Sequence, residues 1–555
     1  MCMLESNVVA EFHGAQSNAR EWIWVIIASL LIVLLSSLPY LAGYYFQNTD
    51  QNFSGAIFNR QDYSVHLATM ALGARGQWQY NFRFTSETHQ GRYVKLGYIF
   101  LGHISRWLNL DLVSTYHLAR LCFGLFSLLC LYKLAQLVFF EVYFRRLFFL
   151  LVALSSGLGW LQWIFKLVPN ASISPIDFWA IDPYFFFGLM MFPHFMMSVF
   201  LSLGMICLWG AYLRYFDWWR VVLIVIMGAS IQLIQPYVPI LPDVAMVGAA
   251  LGCMVRSRRF SWRLVGMLVL IGSTQVPLLI YNLGIFRQDT IWQAFATQNL
   301  TLSPPFIYYL WGFGLLWPLA LVGIGISSQS IFSRLAGNKV QFNISFEALG
   351  GALLWVLTAL LLTYLPWQLQ RRFMFLFVAP LGIFAIFGLR DGIAHWLESR
   401  FSARLSHRRI GALLLVVFMS MSSLYLALGT SLYLSSRPDE FFDPASLVQT
   451  VDWLARHADK DDVVLSSERV GQLVAARTGL RVYIGHPIET LDYTNKKDLV
   501  QSLFAGEIDL DQLPACGCDW MIVGPYEHSL SDDIVSSYDL VYQNQSEKIY
   551  HISEP

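Results

Sequence analysis

Apolar runs of about eighteen or more residues recur along this chain, and each is long enough to cross a hydrocarbon core of about 30 Å as a helix. Backbone polar groups in hydrocarbon must be satisfied inside the protein, so such runs fold as helices. The first, from Trp22 to about Tyr45, is too long for the apolar stretch of a signal peptide and has no clear cleavage site. Glu5, Glu11, Arg20 and Glu21 precede it in place of a basic leader, so it reads as a retained span. Further spans are expected near 113–140, 147–165, 194–213, 221–235, 237–255, 264–284, 306–326, 346–365, 373–389 and 410–434, which makes eleven. Only 13% of residues are charged, against about 25% in soluble proteins. The net charge is zero, which leaves no case for a bulk nucleic-acid binder. The fold class is a polytopic α-helical membrane protein.

Orientation follows from the short loops. One set carries Arg145, Arg146, Arg214, Arg220, Arg256, Arg258, Arg259, Arg263, Arg334, Lys339, Arg390, Arg400, Arg404, Arg408 and Arg409. The alternate set beyond the first loop carries only Lys166, Arg287, Arg371 and Arg372. The positive-inside bias makes the first set cytoplasmic, in a multi-pass plasma-membrane protein with a cytoplasmic N-terminus. The loop 46–112, the connections 166–193, 285–305 and 366–372, and everything after about 435 then lie outside. Between 221–235 and 237–255 the chain reads Gln235-Pro236-Tyr237-Val238-Pro239, either a tight hairpin or the tip of a re-entrant pair.

At Ser435 the composition changes, which divides the chain into a membrane domain, 1–434, and an extracytoplasmic domain, 435–555. Asp443-Pro444 suits the N-cap and first position of a helix with Leu447, Val451 and Leu454 on one face. Strand-like runs at Val463–Leu465, Arg481–Ile484, Trp520–Val523 and Leu540–Tyr542 alternate with helical stretches near 468–477 and 494–505. The pattern is that of a small α/β domain of about 110 residues. No Gly-rich phosphate loop follows its first strand, which argues against a nucleotide site. Cys516 and Cys518 have no second pair to suggest zinc.

The long first outer loop gathers most of the chemistry-bearing side chains. Asp62 stands in Asn59-Arg60-Gln61-Asp62-Tyr63-Ser64-Val65-His66-Leu67, before an amphipathic, helix-like stretch over Tyr63–Leu72. A carboxylate at the outer surface can take a proton from an acceptor hydroxyl, although Asp also suits the N-cap of a helix starting at Tyr63. Asp50 is a second acid in the same loop. Arg371 and Arg372 go against the positive-inside bias, and arginine's fork suits a lipid phosphate; snorkelling to headgroups is the other use of such a pair. Arg60 is a further candidate for the phosphate. Glu87 and His89 form a second acid/base or metal pair, while His66 and His194 stand singly. Asp182 and Tyr237 lie in other outer loops and join His66, Glu87, His89 and His194 as expected lining of one substrate cavity. No HExxH or other metal-ligand spacing occurs, so no metal ligands are assigned.

Several short motifs carry a resemblance. Asp62-Tyr63-Ser64-Val65-His66-Leu67-Ala68-Thr69-Met70, Gly97-Tyr98-Ile99-Phe100-Leu101-Gly102-His103, Ser156-Gly157-Leu158-Gly159-Trp160, Phe192-Pro193-His194-Phe195, Gln370-Arg371-Arg372-Phe373 and Gly485-His486-Pro487-Ile488-Glu489-Thr490 look like a group of bacterial GT-C-like proteins. The plan of a first span, a long outer loop with an acid, many spans and an outer tail resembles the GT-C glycosyltransferases. These include the protein O-mannosyltransferases and the aminoarabinose transferases of lipid A. The resemblance implies inverting transfer of one sugar from a polyprenyl-phosphate-linked donor to a glycan, lipid or protein acceptor on the outer face. The loop acid then serves as base and basic groups hold the lipid phosphate. Many members have Asp-Glu or Asp-Asp where this chain has Gln61-Asp62-Tyr63, so a divalent cation stays open as cofactor. The rival expectation is a non-catalytic transporter, or an accessory subunit of a membrane complex that keeps the fold. A transporter would show paired internal repeats and mid-span charges, and neither is found in the sequence.

Overall fold

The computed structural model describes residues 18–165, 175–335, 345–393, 405–513, 516–527 and 538–552. Glu5 and Glu11, and Lys166, Lys339, Arg400 and Arg404 from the orientation argument, lie outside the described residues. Among the described residues seven helices are long and apolar enough to cross a membrane, and three more spans arise if each bent pair of helices counts once. The bent pairs are Val142–Leu154 with Gly159–Phe165, Phe306–Phe313 with Leu316–Gln329, and Arg409–Met419 with Met421–Leu434. A shorter apolar helix, Trp218–Ile234, supplies the last of the eleven segments marked by the sequence. The chain is a multi-pass membrane protein. Residues 235–239 form a short turn between Trp218–Ile234 and Ile240–Ser257.

The chain forms two compact units. The first comprises residues 1–38, 120–280 and 301–429. Its helices pack through small residues: a Cβ on Gly248 would stand 2.2 Å from the carbonyl oxygen of Gly350, so Ile240–Ser257 and Phe346–Thr363 meet backbone to backbone. Close approach of this kind is how helices associate without a hydrophobic drive between them. Where the ladder breaks between Leu154 and Gly159, the buried carboxylate of Asp177 accepts the amides of Gly157 at 3.0 Å and Gly159 at 3.1 Å. A side chain replaces the helical acceptors these amides have lost.

The second unit comprises residues 39–119, 281–300 and 430–555, so the first outer loop and the segment after 430 share one core. The change of composition near Ser435 thus marks where one part of this unit begins. Its sheet has the order β4-β3-β5-β7-β6, with β3 (Val463–Leu465), β4 (Arg481–Val482) and β5 (Trp520–Val523) parallel. β7 (Lys548–His551), which no strand-like run announces, pairs antiparallel with β5 and with β6 (Asp539–Gln543). Helices Ala445–His457, Glu468–Thr478 and Tyr493–Phe504 complete the α/β layer. Cys516 and Cys518 are bonded to one another across Gly517.

The first loop is far from irregular. It opens with β1 (Gln51–Phe53), which pairs antiparallel with β2 (Phe442–Pro444), and continues with helices Arg60–Ala74 and Leu96–Leu108. The expected amphipathic stretch is instead a helix packed all round, with buried residues along nearly its whole length. Its buried Ser64 and Thr69 hydroxyls are satisfied locally, Ser64 by the carbonyl of Arg60 and Thr69 by that of Val65. Gly73 and Gly102 let it touch Leu96–Leu108: a Cβ at either would lie about 2 Å from a carbonyl oxygen of the facing helix. On another side Val65 and Ala68 join Val470 and Val474 in the core of the α/β layer.

Asp443 is not the helix cap the sequence suggested. Pro444 takes the cap position of Ala445–His457, while the Asp443 carboxylate receives Arg60 Nη2 at 2.6 Å and lies 3.9 Å from Arg469. Both partners of the Arg60 pair are buried, because β1–β2 pairing brings the two segments together. Removing one member of such a pair leaves a buried charge uncompensated and costs about 3–5 kcal/mol. Asp443→Ala is therefore expected to lower the stability of the second unit by that amount, read by thermal unfolding of the full chain in detergent with near-UV circular dichroism. An unshifted midpoint would contradict this account.

Candidate active site

Asp62 lies in the first turn of Arg60–Ala74 and does not cap it. The cap is Asn59, in the left-handed region at φ 37°, whose side-chain oxygen accepts the Asp62 amide at 3.2 Å. Asn59 also donates its amide to Asp62 Oδ2. The other oxygen, Oδ1, stands 3.4 Å from Nε2 of His486, which is buried, whereas the Asp62 side chain is 42% exposed. The helix amide dipoles favour a negative charge at this position. A carboxylate fixed by two neighbours yet open to solvent can serve as a proton acceptor.

In the first unit, Arg371 and Arg372 lie in a 3₁₀ turn, Gln370–Met374. Both reach one buried carboxylate: Asp182 receives Arg371 Nε at 3.4 Å and Arg372 Nη1 at 3.3 Å. Arg371 also lies over the Trp179 ring at 4.8 Å, and Arg372 over Tyr237 at 5.8 Å. The Tyr237 hydroxyl accepts the Gln235 side-chain amide. Backbone bonds tie the loops together: the Arg371 amide donates to the Thr301 carbonyl and the Leu376 amide to that of Asp182. Four separate segments thus build one cationic cluster, whose arginine side chains keep 20% and 26% of their surface exposed. A guanidinium anchored on one edge can meet a phosphate with the other.

Other residues singled out by the sequence are engaged elsewhere. Arg60, expected at the lipid phosphate, is the buried partner of Asp443. Asp50 is exposed in the turn before β1, where its carbonyl accepts the Ala445 amide. His66 stacks on Tyr98 at 4.2 Å, between the two loop helices. Glu87 and His89 do not form an acid/base pair. The Glu87 carboxylate pairs with Lys496 at 2.7 Å, while His89 Nε2 accepts the Phe82 amide at 2.8 Å and Nδ1 faces the Glu87 carbonyl at 2.9 Å. These contacts fix the loop's shape and engage both nitrogens of the ring. His194 stacks on Phe192 in the first turn of Pro193–Tyr215.

Among the described residues no group of three or more His, Cys, Asp or Glu side chains is placed to hold a metal ion. Asn59 meets Asp62 with an N–H donor, which suits a carboxylate and not the oxygen shell of a divalent cation. Two contributors escaped the sequence reading. Trp179 gives no signal beyond being an aromatic near Asp177, and His486 was visible only as part of a short motif more than four hundred residues from Asp62.

No family model matches the chain, and no curated protein matches it in sequence. Solved structures do match. The oligosaccharyltransferase of Archaeoglobus fulgidus superposes with TM-score 0.51 at 12% identity, over 90% of this chain and 69% of that one. ArnT from Cupriavidus metallidurans, solved bound to undecaprenyl phosphate, gives TM-score 0.47 at 12% identity over 96% and 98% of the two chains. The arabinofuranosyltransferase AftD from Mycobacteria gives 0.49 at 12% identity over 98% and 40%. The last two superpose too loosely to add anything. The first establishes a fold shared with that oligosaccharyltransferase and says nothing of substrate.

The Glu87–His89 turn gives the second unit a defined pH response. Burial raises the Glu87 carboxyl, but hydrogen bonds from Lys496 and Thr85 outweigh it and the group titrates below its ordinary range. Burial lowers His89, and the backbone bond to Glu87 only partly offsets this. Both groups bind protons more weakly when folded. Their stabilisation is complete above the unfolded values, about 6.5 for His and 4.3 for Glu, and is lost as pH falls through the lowered folded values. Thermal unfolding of the full chain should therefore show the midpoint falling as pH drops below about 6.5. His89→Gln should remove the first part of that fall and leave the part due to Glu87. An identical pH profile in His89→Gln would refute the assignment.

Proposed function

With the GT-C fold as premise, we propose that this chain transfers one sugar from a polyprenyl-phosphate-linked donor to a hydroxyl of a glycan, lipid or protein acceptor on the outer face of the membrane. The observation that carries the reading is the cluster at Asp182: two adjacent guanidiniums share one buried carboxylate and keep part of their surface exposed. A membrane protein keeps such groups on a substrate path more readily than in its packing. The loop charges support a cytoplasmic N-terminus, a topology that would expose residue 62 and residues 371–372 on the outer side.

In this reading the acceptor hydroxyl attacks the anomeric carbon from the face opposite the phosphate. The new C–O bond forms as the bond to the phosphate oxygen breaks, and the configuration inverts. The resemblance assigns the hydroxyl proton to Asp62, in the second unit, and the phosphate leaving group to Arg371 and Arg372, in the first. Preorganised cations are worth most where charge develops in the transition state. Asp182 holds both guanidiniums in place beforehand, so no reorganisation is required at the moment of reaction. Asn59 fixes the carboxylate, which favours a defined line of attack.

The test is turnover of polyprenyl-phosphate sugars by the full chain in proteoliposomes, with release of polyprenyl phosphate as readout. Asp62→Asn should lower kcat by about 10²–10⁴, and Arg372→Gln by about 10²–10³, with folding and insertion intact. Full turnover in both variants would refute the mechanism, and no turnover by the unaltered chain would favour an accessory role. A cysteine at 62 and one at 372 should both react with an impermeant maleimide from the same side; labelling from opposite sides would remove the proposal.

A further inference from the structure

The motif Gly485-His486-Pro487-Ile488-Glu489-Thr490 has no role in the reaction as described so far. It leaves β4 as a loop held from several directions within the second unit. Thr490 Oγ1 donates to the Phe84 carbonyl at 2.7 Å and accepts the amides of Gly485 and His486 at 3.3 and 3.2 Å. The buried Glu489 carboxylate accepts the Tyr80 hydroxyl at 2.5 Å and pairs with Lys95. At Gly485 a Cβ would fall 2.6 Å from Phe84 Cδ1, so only glycine lets the loop lie this close to the first-loop segment. Gly485, Glu489 and Thr490 thus serve to fix the place of His486.

The two nitrogens of that ring have different tasks. Nδ1 lies 3.1 Å from the Ile488 amide and 3.2 Å from the Glu489 amide. Both are N–H donors, so Nδ1 is an acceptor, and the proton of the neutral ring sits on Nε2. That nitrogen is the one 3.4 Å from Asp62 Oδ1. The separation is long for a hydrogen bond, as catalytic contacts often are before substrate binds. Asp62 Oδ2 is meanwhile taken by Asn59.

We propose that His486 is a positioning residue for Asp62. Its backbone-fixed tautomer presents Nε2–H to Oδ1, and the carboxylate is thereby held in one rotamer between His486 and Asn59, with its exposed edge turned to the acceptor. The inference rests on the reading of Asp62 as base. It gives the α/β segment a direct part in the chemistry, which a merely appended domain would lack.

Two measurements on the full chain test it. In proteoliposomes labelled with ¹⁵N-histidine, solid-state NMR should report His486 with bare Nδ1 and protonated Nε2, the resonance being identified by its loss in His486→Gln. The opposite tautomer would overturn the proposal whatever the activity. In the polyprenyl-phosphate sugar assay, His486→Phe should lower kcat about ten- to a hundredfold and leave KM for the donor unchanged. His486→Gln, which restores an N–H near the Nε2 position, should recover most of that loss. If His486→Phe does not fold, the tautomer and the His486→Gln turnover decide: a folded Gln variant as inactive as Asp62→Asn overturns the proposal. If Asp62→Asn is inactive and His486→Phe turns over as wild type, His486 has no positioning role and Asp62 remains the base. If Asp62→Asn keeps full turnover, the reading of the reaction fails and the positioning role fails with it.

Discussion

The helix Arg60–Ala74 is held by close packing along most of its length, and the chemistry of the second unit depends on that confinement. Leu96–Leu108 touches it at Gly73 and Gly102, where no side chain fits between the backbones. The Glu468–Thr478 layer meets it through Val65 and Ala68. Arg60, at its start, is locked to Asp443. A helix so constrained has little freedom to rotate or slide, because packed interiors do not deform continuously. Asp62, in its first turn, inherits that fixity while keeping its carboxylate accessible.

The membrane unit follows a different rule. Hydrocarbon offers no partners, so each interruption of a helix must be answered by a protein group. Asp177 answers at the break before Gly159, accepting two amides that no helical carbonyl reaches. The Gln370–Met374 turn is answered by the Thr301 carbonyl and opens a path for two arginines onto Asp182. The places where regular structure stops are thus the places where polar side chains accumulate, and the cationic cluster is one of them. Trp179 and Tyr237 beneath the guanidiniums add aromatic faces that suit a weakly hydrated cation.

The two constellations obey one economy of means: a neighbour fixes one edge of a charged group and leaves the other edge outward. Asn59 and His486 do this for a carboxylate, and Asp182 does it for two guanidiniums. Each fixing group comes from a distant part of the sequence. That arrangement suits catalysis, in which charged groups act best when already oriented.

The sequence by itself determined the membrane class, the eleven apolar segments, and most of the strands and helices after Ser435, because length, hydropathy and alternation are local quantities. It also marked Asp62, Arg371, Arg372 and Asp182 as polar groups in the connections between spans. Only the tertiary structure decided what each of them meets. Arg60 looked as available for phosphate as Arg371, yet β1–β2 pairing buries it against Asp443, a contact spanning 383 positions. Asp443 looked like a cap, and Asp62 like another, because N-cap preference is a local bias that a distant ion pair or a nearer Asn overrides. The first loop offered an amphipathic stretch over Tyr63–Leu72, yet the helix there is buried along nearly its whole length, because distant segments decide which faces are covered. His486 lies in the motif without any sign of its partner, for side-chain meetings of this kind are set by how layers pack and leave no trace in spacing along the chain.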